Sequence, residues 1–180
     1  MSDIIATSQY KTKAQTFIAK RGALVMKEFS PIGKLFGLYS SQIEIDALIF
    51  SIMKGQQMER TYGIKITLFA NDDGYSREQS CLVDQDELPE LVNGMTFLAE
   101  KLEQLRNGVP NYTELSYVTK DDFKIGFYIS TGDEPDPTIF CSAGGSDNVF
   151  TKPARLPRLR ELIVNGMNYL KSVSESMHVD

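Results

Sequence analysis

The sequence predicts an α+β fold in which a unit of four strands followed by one helix, ββββα, occurs twice. The first observation is the segment VNGMTFL at residues 92–98, which recurs as VNGMNYL at residues 164–170. The second is the match of Cys81 with Cys141, and the third is a pair of similar strand-like hexapeptides before the cysteines. Three matches in the same order indicate an internal duplication, which determines the whole architecture of a chain.

The hexapeptides are residues 64–69 and 123–128. The offset between the copies is nearly the same for the hexapeptides and the cysteines but larger for the helical segments, so the second copy carries an insertion near residues 144–150. We therefore predict a basic, flexible N-terminal arm and a single pseudo-symmetric domain of two units. The arm is residues 1–20 and the domain is residues 21–180, with a first unit at 21–108 and a second at 109–176.

Four strands are predicted in the first unit. Residues 23–29 form the first, which should end at Pro31 because proline interrupts a strand ladder. Residues 43–53 are apolar at nearly every position, so this strand should be central and covered on both faces. Strands over residues 58–69 and 77–83 follow, with turn-forming residues between them. These strands should form one antiparallel sheet.

The helix of the first unit begins after residues 84–87, DQDE, which resemble a capping box. It ends at residues 107–110, NGVP, because glycine and proline stop a helix. Between them the apolar residues keep the i, i+3, i+4, i+7 spacing of an amphipathic helix: Leu88, Leu91, Val92, Met95, Leu98, Ala99, Leu102 and Leu105.

The second unit repeats this order. Strands are predicted over residues 112–118 and 123–129, and two short strands over residues 138–142 and 148–151. The closing helix carries an apolar stripe of Leu156, Leu159, Leu162, Ile163, Met167, Leu170 and Val173. Each antiparallel sheet should therefore be packed by one long amphipathic helix.

Gly94 and Gly166 occupy equivalent positions in the middle of the two helices, where glycine costs about 1 kcal/mol relative to alanine. This cost predicts close approach of a neighbouring backbone, either between the two helices or across a subunit interface. We take both glycines as candidate interface residues. Two apolar-rich helices and the doubly apolar strand at residues 43–53 also predict a homodimer.

No catalytic constellation is recognisable, so the sequence predicts a protein that is not an enzyme. The single histidine, His178, is the third residue from the end of the sequence, and no GxSxG or lysine-containing phosphate loop occurs. The carboxylates fall in predicted turns and helix starts, where aspartate has a structural reason to be. We predict no cofactor and no metal site, and expect Cys81 and Cys141 to be buried and reduced.

The net charge of −5 is spread unevenly, with +4 over residues 1–40, −6 over 41–108 and −3 over 109–180. An acidic body is unlike a dedicated duplex-binding protein, whose affinity depends on neutralising many phosphates. No apolar run approaches the roughly 18 residues of a membrane span, and residues 1–16 lack a signal peptide's apolar region. We expect a cytoplasmic protein with no membrane partner.

Cations and aromatic residues interleave through the N-terminal part of the chain, the mixture that follows a single-stranded backbone and stacks on its bases. The wider set is Tyr10, Lys11, Lys13, Phe17, Lys20, Arg21, Lys27, Phe29, Lys34, Phe36 and Tyr39. The candidate binding residues within it are Lys11, Lys13, Lys20, Arg21, Lys27 and Phe29. A partly disordered arm with solvated charges explains the same pattern. The leading prediction is a non-catalytic binding or protein-interaction module, and the alternative is a single-stranded nucleic-acid-binding protein.

Two tandem ββββα units that each end in a long helix resemble the Whirly proteins and, more distantly, the PUR repeats. Residues 20–25, KRGALV, are similar to the KGKAAL segment of an early Whirly strand, with Arg21 in place of the glycine and Gly22 in place of a lysine. The resemblance implies binding of single-stranded nucleic acid on the sheets, with Lys20 as a phosphate contact. The same order of elements also resembles uncharacterised bacterial proteins, for which no activity follows.

Overall fold

The computed structural model describes residues 11–72, 75–107, 109, 111–131, 136–145 and 147–176. In chain order its elements are α1 (Lys13–Ile18), β1 (Leu24–Phe36), β2 (Gln42–Lys54), β3 (Gln57–Asp72), β4 (Tyr75–Asp84), α2 (Leu88–Gln104), β5 (Thr113–Val118), β6 (Phe123–Ile129), β7 (Thr138–Ala143), β8 (Val149–Thr151) and α3 (Leu156–Ser176). A short 3₁₀ helix, Pro153–Arg155, precedes α3.

The strands form two four-stranded antiparallel sheets with the orders β1-β2-β3-β4 and β5-β6-β7-β8. Each sheet is followed in the chain by a long helix, α2 or α3. This confirms the predicted α+β class and the order of four strands and one long helix in each unit. Strand β2 is central, as its continuous apolar run predicted.

Strand register shows which parts of the two units correspond. Ile66 on β3 lies opposite Cys81 on β4, and Ile125 on β6 lies opposite Cys141 on β7. These residues are the ones that the sequence matches align, so β2, β3 and β4 correspond to β5, β6 and β7. The remaining strands differ: β1 lies beside β2, whereas β8 lies beside β7, on the opposite edge of its sheet. The inserted residues of the second unit thus include β8.

The helices are exchanged between the units. Helix α2 of the first unit packs on β5 and β6, while α3 of the second unit packs on β1, β2 and β3. The two helices also pack on each other. One hydrophobic core therefore runs through both units and includes Ile45, Met95, Phe127 and Leu162. Each sheet is covered by one long amphipathic helix, but the helix comes from the other unit.

The predicted flexible arm is wrong for residues 11–20, and residues 1–10, including Tyr10, lie outside the described residues. Helix α1 packs on the face of the first sheet that points away from the main core, where its buried Phe17 joins Leu48, Phe50 and Ile52 of β2. This contact covers the second face of β2, as predicted from its apolar run. The reason is that a strand apolar on both faces provides a docking site for an aromatic side chain.

Strand β1 does not end at Pro31. It continues to Phe36 through a bulge between Pro31 and Gly33. Proline is tolerated on an edge strand because its missing N–H would have faced solvent, and a bulge lets pairing resume on its far side. The predicted first strand was therefore too short.

The capping box predicted at residues 84–87 does not form. Glu87 is the N-cap residue of α2, but its side chain makes no cap hydrogen bond. Its Oε1 instead accepts a hydrogen bond from the backbone N–H of Lys120 at 2.7 Å. The buried carboxylate of Asp84 accepts from the backbone N–H groups of Lys13 at 2.7 Å and Ala14 at 3.0 Å. Asp84 therefore holds α1 against the end of β4. Glu87 holds the β5–β6 turn against the start of α2.

Candidate binding surface

An exposed aromatic surface lies on the outer face of the first sheet, the face that carries α1. Helix α1 packs on β2, β3 and β4, and the outer side chains of β1 and of the far end of β3 extend beyond it. We call the following residues the aromatic face: Lys27, Phe29, Lys34, Phe36, Lys65 and Phe69. More than half of the Phe29 side chain is accessible, and Phe36 is 63% exposed.

Rows of opposite residues define the geometry of the aromatic face. Phe36 on β1 lies opposite Gln42 on β2, which lies opposite Phe69 on β3. The two phenylalanines are therefore about 10 Å apart, two strand spacings of about 4.8 Å. The side chain of Gln42, which is part-buried, lies between the two phenylalanines.

Acidic side chains separate the lysines of this face. Lys34 lies opposite Glu44, with Nζ and Oε1 3.9 Å apart, and Lys65 lies opposite Asp46. Glu78 on β4 lies opposite Phe69. Three lysines are thus balanced by three acids on the same side of the sheet, so the surface is aromatic and polar with a local charge near zero.

The β1–β2 turn places another aromatic side chain at the end of β1. Tyr39 and Ser40 have φ angles of 56° and 58°, and the Ser41 N–H donates to the Leu38 carbonyl at 3.1 Å, as in a type I′ turn. A type I′ turn favours Asn-Gly because both central residues have positive φ angles. Tyr39 and Ser40 are therefore strained in this turn. Tyr39 is 77% exposed, so burial of its ring does not offset the strain. The Leu38 N–H donates to the Phe150 carbonyl on β8 at 2.7 Å, which anchors the turn.

The structure places most of the predicted basic residues elsewhere. Lys11 pairs with Asp122, Lys13 Nζ lies 2.6 Å from Asp86, and Lys20 Nζ lies 2.8 Å from Glu59. The hydrogen bond from Lys13 to Asp86 raises the pKa of Lys13, so this lysine stays charged but carries its counterion with it. Three of the four predicted arm cations are therefore matched by acids of the body.

Arg21 is exposed and takes part in no ion pair with another described residue. Only Lys27 and Phe29 of the six predicted binding residues belong to the aromatic face. The predicted set missed Lys65 and Phe69, which are distant in sequence. The signal that could have found them is strand alternation, because both lie on the opposite side of β3 from its buried isoleucines.

The two helix glycines do mark close approaches, but the neighbours are side chains of the other unit's sheet. A Cβ atom on Gly94 would lie 2.7 Å from the Tyr117 ring on β5, and one on Gly166 would lie 3.2 Å from Ile64 on β3. The nearest atoms at both positions therefore belong to side chains and not to the neighbouring backbone that the sequence predicted. Their packing is within the chain, so they offer no support for a subunit interface.

The second sheet repeats part of the aromatic face. Tyr128 on β6 stacks on Tyr112 with ring centroids 6.1 Å apart and lies 6.4 Å from the Phe140 ring. Lys124 Nζ lies 5.1 Å above the Phe140 ring. By strand correspondence, Lys124 and Tyr128 are the equivalents of Lys65 and Phe69. A lysine and an aromatic residue four positions apart therefore occupy the outer face of both sheets.

A cleft lies between the end of α2 and the start of α3. It has a volume of about 550 Å³, with apolar walls that include Leu102, Pro137 and Leu156. Its charged lining residues are Glu103, Arg106 and Asp136, and the side chains of Glu103 and Arg106 lie 3.4 Å apart. The charges of Glu103 and Arg106 thus offset each other, which leaves Asp136 as the remaining charged group among the described lining residues.

Acidic residues and cysteines have structural roles here. Desolvation raises the pKa of the buried Glu87 above the usual range for glutamate. Cys81 and Cys141 are free and buried, and burial raises the pKa of Cys141 to about 12, so this thiol is unreactive at neutral pH. No group of three or more candidate metal ligands occurs among the described residues. His178 lies outside them.

Comparison of the chain with protein-family models, with curated proteins and with solved structures finds no match. Of the helices in the described part of the chain, none is long and apolar enough to cross a membrane.

Proposed function

We propose that this protein is a non-catalytic interaction module that binds a protein partner through the aromatic face. The observation that carries the proposal is the row of Phe36, Gln42 and Phe69, flanked by the strained and exposed Tyr39. Aromatic side chains supply a large contact area at little entropic cost, and they dominate binding energy at protein interfaces. Strain in an exposed turn is typical of residues kept for binding rather than for stability.

Charge balance favours a protein partner over a polyanion. A nucleic acid gains most of its affinity from neutralised phosphates and released counterions. The lysines of the aromatic face are matched by Glu44, Asp46 and Glu78 on the same side of the sheet. A folded partner tolerates such mixed charges, since polar rims surround most interfaces. Both cysteines are free, which is typical of a reducing compartment, and we place the protein in the cytoplasm.

The test is site-specific photo-crosslinking in cell extract from the source organism. A photoreactive phenylalanine analogue at position 36 should capture a defined protein, and the same analogue at Tyr75, an exposed residue outside the aromatic face, serves as the control. Phe29→Ala combined with Phe36→Ala should abolish co-purification of that protein, whereas Tyr75→Ala should retain it. Equal capture at positions 36 and 75 would contradict the proposal.

Single-stranded nucleic acid is the second candidate ligand. The observation that favours it is the recurrence of the lysine and aromatic pair, Lys65 with Phe69 and Lys124 with Tyr128, on the outer faces of both sheets. Stacking platforms with flanking cations bind single strands without sequence preference. The resemblance to Whirly proteins points in the same direction.

Titration with a short oligonucleotide at low and moderate salt separates the two candidates. We expect weak or no binding, because Lys34 and Lys65 lie opposite acids and Lys124 pairs with Glu114. Tight binding that falls steeply with salt, and that is lost on changing Lys27, Lys34 and Lys65 to Ala, would favour nucleic acid. Loss on changing Lys11, Lys13, Lys20 and Arg21 instead would locate the contact at α1 and the residues after it.

A further inference from the structure

Strand β1 is an edge strand with an open backbone. Among the described strands, its only neighbour is β2. Pro31 lies in the paired part of β1, and proline is accepted there when its missing N–H would point away from the neighbouring strand. Because this direction alternates along a strand, Val25, Lys27 and Phe29 also direct their N–H and C=O groups outward. The segment before the bulge can therefore pair with another strand.

An apolar patch lies at the same end of the first sheet, on the face that α3 covers further along. Leu24, Met53 and Met58 form one row across β1, β2 and β3, and Met26 belongs to the next row. These four side chains are 44 to 71% exposed. Methionine side chains are flexible and adapt well to a partner surface. We call these four residues the methionine patch.

We propose that two copies of this chain pair through their β1 edges in antiparallel orientation. The two-fold axis of this pair passes between the Met26 residues of the two copies. An axis perpendicular to the sheet keeps each face on the same side. The methionine patches of both copies therefore lie on one face, where the two Met26 side chains meet across the axis and each Leu24 lies opposite Glu28 of the other copy. Such a contact is self-complementary, as a two-fold interface requires, and the result is a continuous eight-stranded sheet.

The position of the axis follows from the residues of β1. An axis at Lys27 or Glu28 places two like charges opposite each other, which destabilises a strand pair. An axis at Phe29 places Lys27 opposite Pro31, which cannot donate a hydrogen bond. An axis at Val25 extends the pairing into residues 21–23, which form a turn. With the axis at Met26, residues 24–28 pair with their own copies within β1.

A cysteine at position 26 tests this arrangement directly. Because even-numbered residues direct their N–H groups toward β2, Met26 would form a non-hydrogen-bonded pair with its copy, with Cα atoms about 4.5 Å apart. This distance lies within the range of about 4.4–6.8 Å found in disulfides. The native cysteines are buried and do not compete. Met26→Cys should give a disulfide-linked dimer under mild oxidation, whereas Val118→Cys, a similarly exposed site on β5, should not.

A second pair of variants tests the edge itself without cysteine. Sedimentation velocity of the full chain should show dimers that dissociate on dilution. Lys27→Pro removes an outward N–H and should give a monomer with an unchanged circular dichroism spectrum, while Val118→Glu should leave the dimer intact. A wild-type protein that is monomeric at all soluble concentrations, a Lys27→Pro dimer, or equal cross-linking at positions 26 and 118 would each overturn the proposal.

Discussion

Gly94 on α2 lies against the ring of Tyr117 on β5, so close that a Cβ atom at Gly94 would be 2.7 Å from the ring. The contact joins the helix of the first unit to the sheet of the second. The equivalent contact of Gly166 with Ile64 joins the second unit's helix to the first unit's sheet, with a looser 3.2 Å approach. The exchange of helices between the units is thus marked by both glycines.

Gly94→Ala should lower the free energy of unfolding by about 1–3 kcal/mol, because the new methyl group overpacks against a ring held on a strand. The gain of about 1 kcal/mol in helix propensity only partly offsets this cost. Urea denaturation measures the change. Gly166→Ala is the matched comparison and should cost less, since its Cβ atom would lie 3.2 Å from Ile64, a looser approach than the one at Gly94. A double variant with Tyr117→Ala should show strong coupling, and additive effects would mean that the two residues do not constrain each other.

Tyr39→Asn combined with Ser40→Gly should raise the free energy of unfolding by about 1–2 kcal/mol, since Asn-Gly adopts a type I′ turn without strain. The same variant should also weaken binding of the protein partner that cross-links at position 36. Thermal unfolding and a binding assay on one preparation check both effects. A stabilised variant with full affinity would remove Tyr39 from the binding surface.

Asp84→Ala should detach α1, because the backbone N–H groups of Lys13 and Ala14 would lose a buried charged acceptor. A loss of about 1.5–3 kcal/mol is expected for hydrogen bonds of this kind. Hydrogen exchange should show faster exchange in α1 and over the outer face of β2. Asp86→Ala is the control: its ion pair with Lys13 is solvent-exposed and should contribute little. Equal exchange in both variants would mean that Asp84 does not hold α1.

Glu87 should make the protein less stable as the pH rises. Burial raises its pKa in the folded state above the ordinary value of 4.5, so the folded protein binds the proton more tightly than the unfolded chain does. The penalty appears above the unfolded pKa and is complete above the folded pKa. Glu87→Gln keeps an acceptor for the Lys120 N–H and should flatten the pH dependence of unfolding above pH 4.5. An unchanged pH profile would contradict this assignment.

The apolar periodicity of each segment was enough to predict most of the fold. Strand β6 begins and ends at the predicted residues, and α2 follows its predicted stripe, because side-chain alternation and helical spacing are local properties of the sequence. The end of β1 was missed, since whether Pro31 interrupts a ladder depends on whether its strand lies at an edge. The absence of the predicted capping box at α2 was missed for a similar reason. The carboxylate of Asp84 accepts its hydrogen bonds from α1, which is a distant part of the chain.

The sequence by itself determined the duplication, the class of fold and the central place of β2, all of which rest on patterns within or between short segments. Only the tertiary structure decided that the helices are exchanged, that α1 covers β2, and that the arm lysines meet the acids of the body. It also brought Phe69 into the same row as Phe36, although the two belong to strands that are not neighbours in the chain. The physical reason is that packing partners and binding surfaces depend on which uncovered faces come into contact. The sequence of a single strand or helix does not specify its partner in a distant part of the chain.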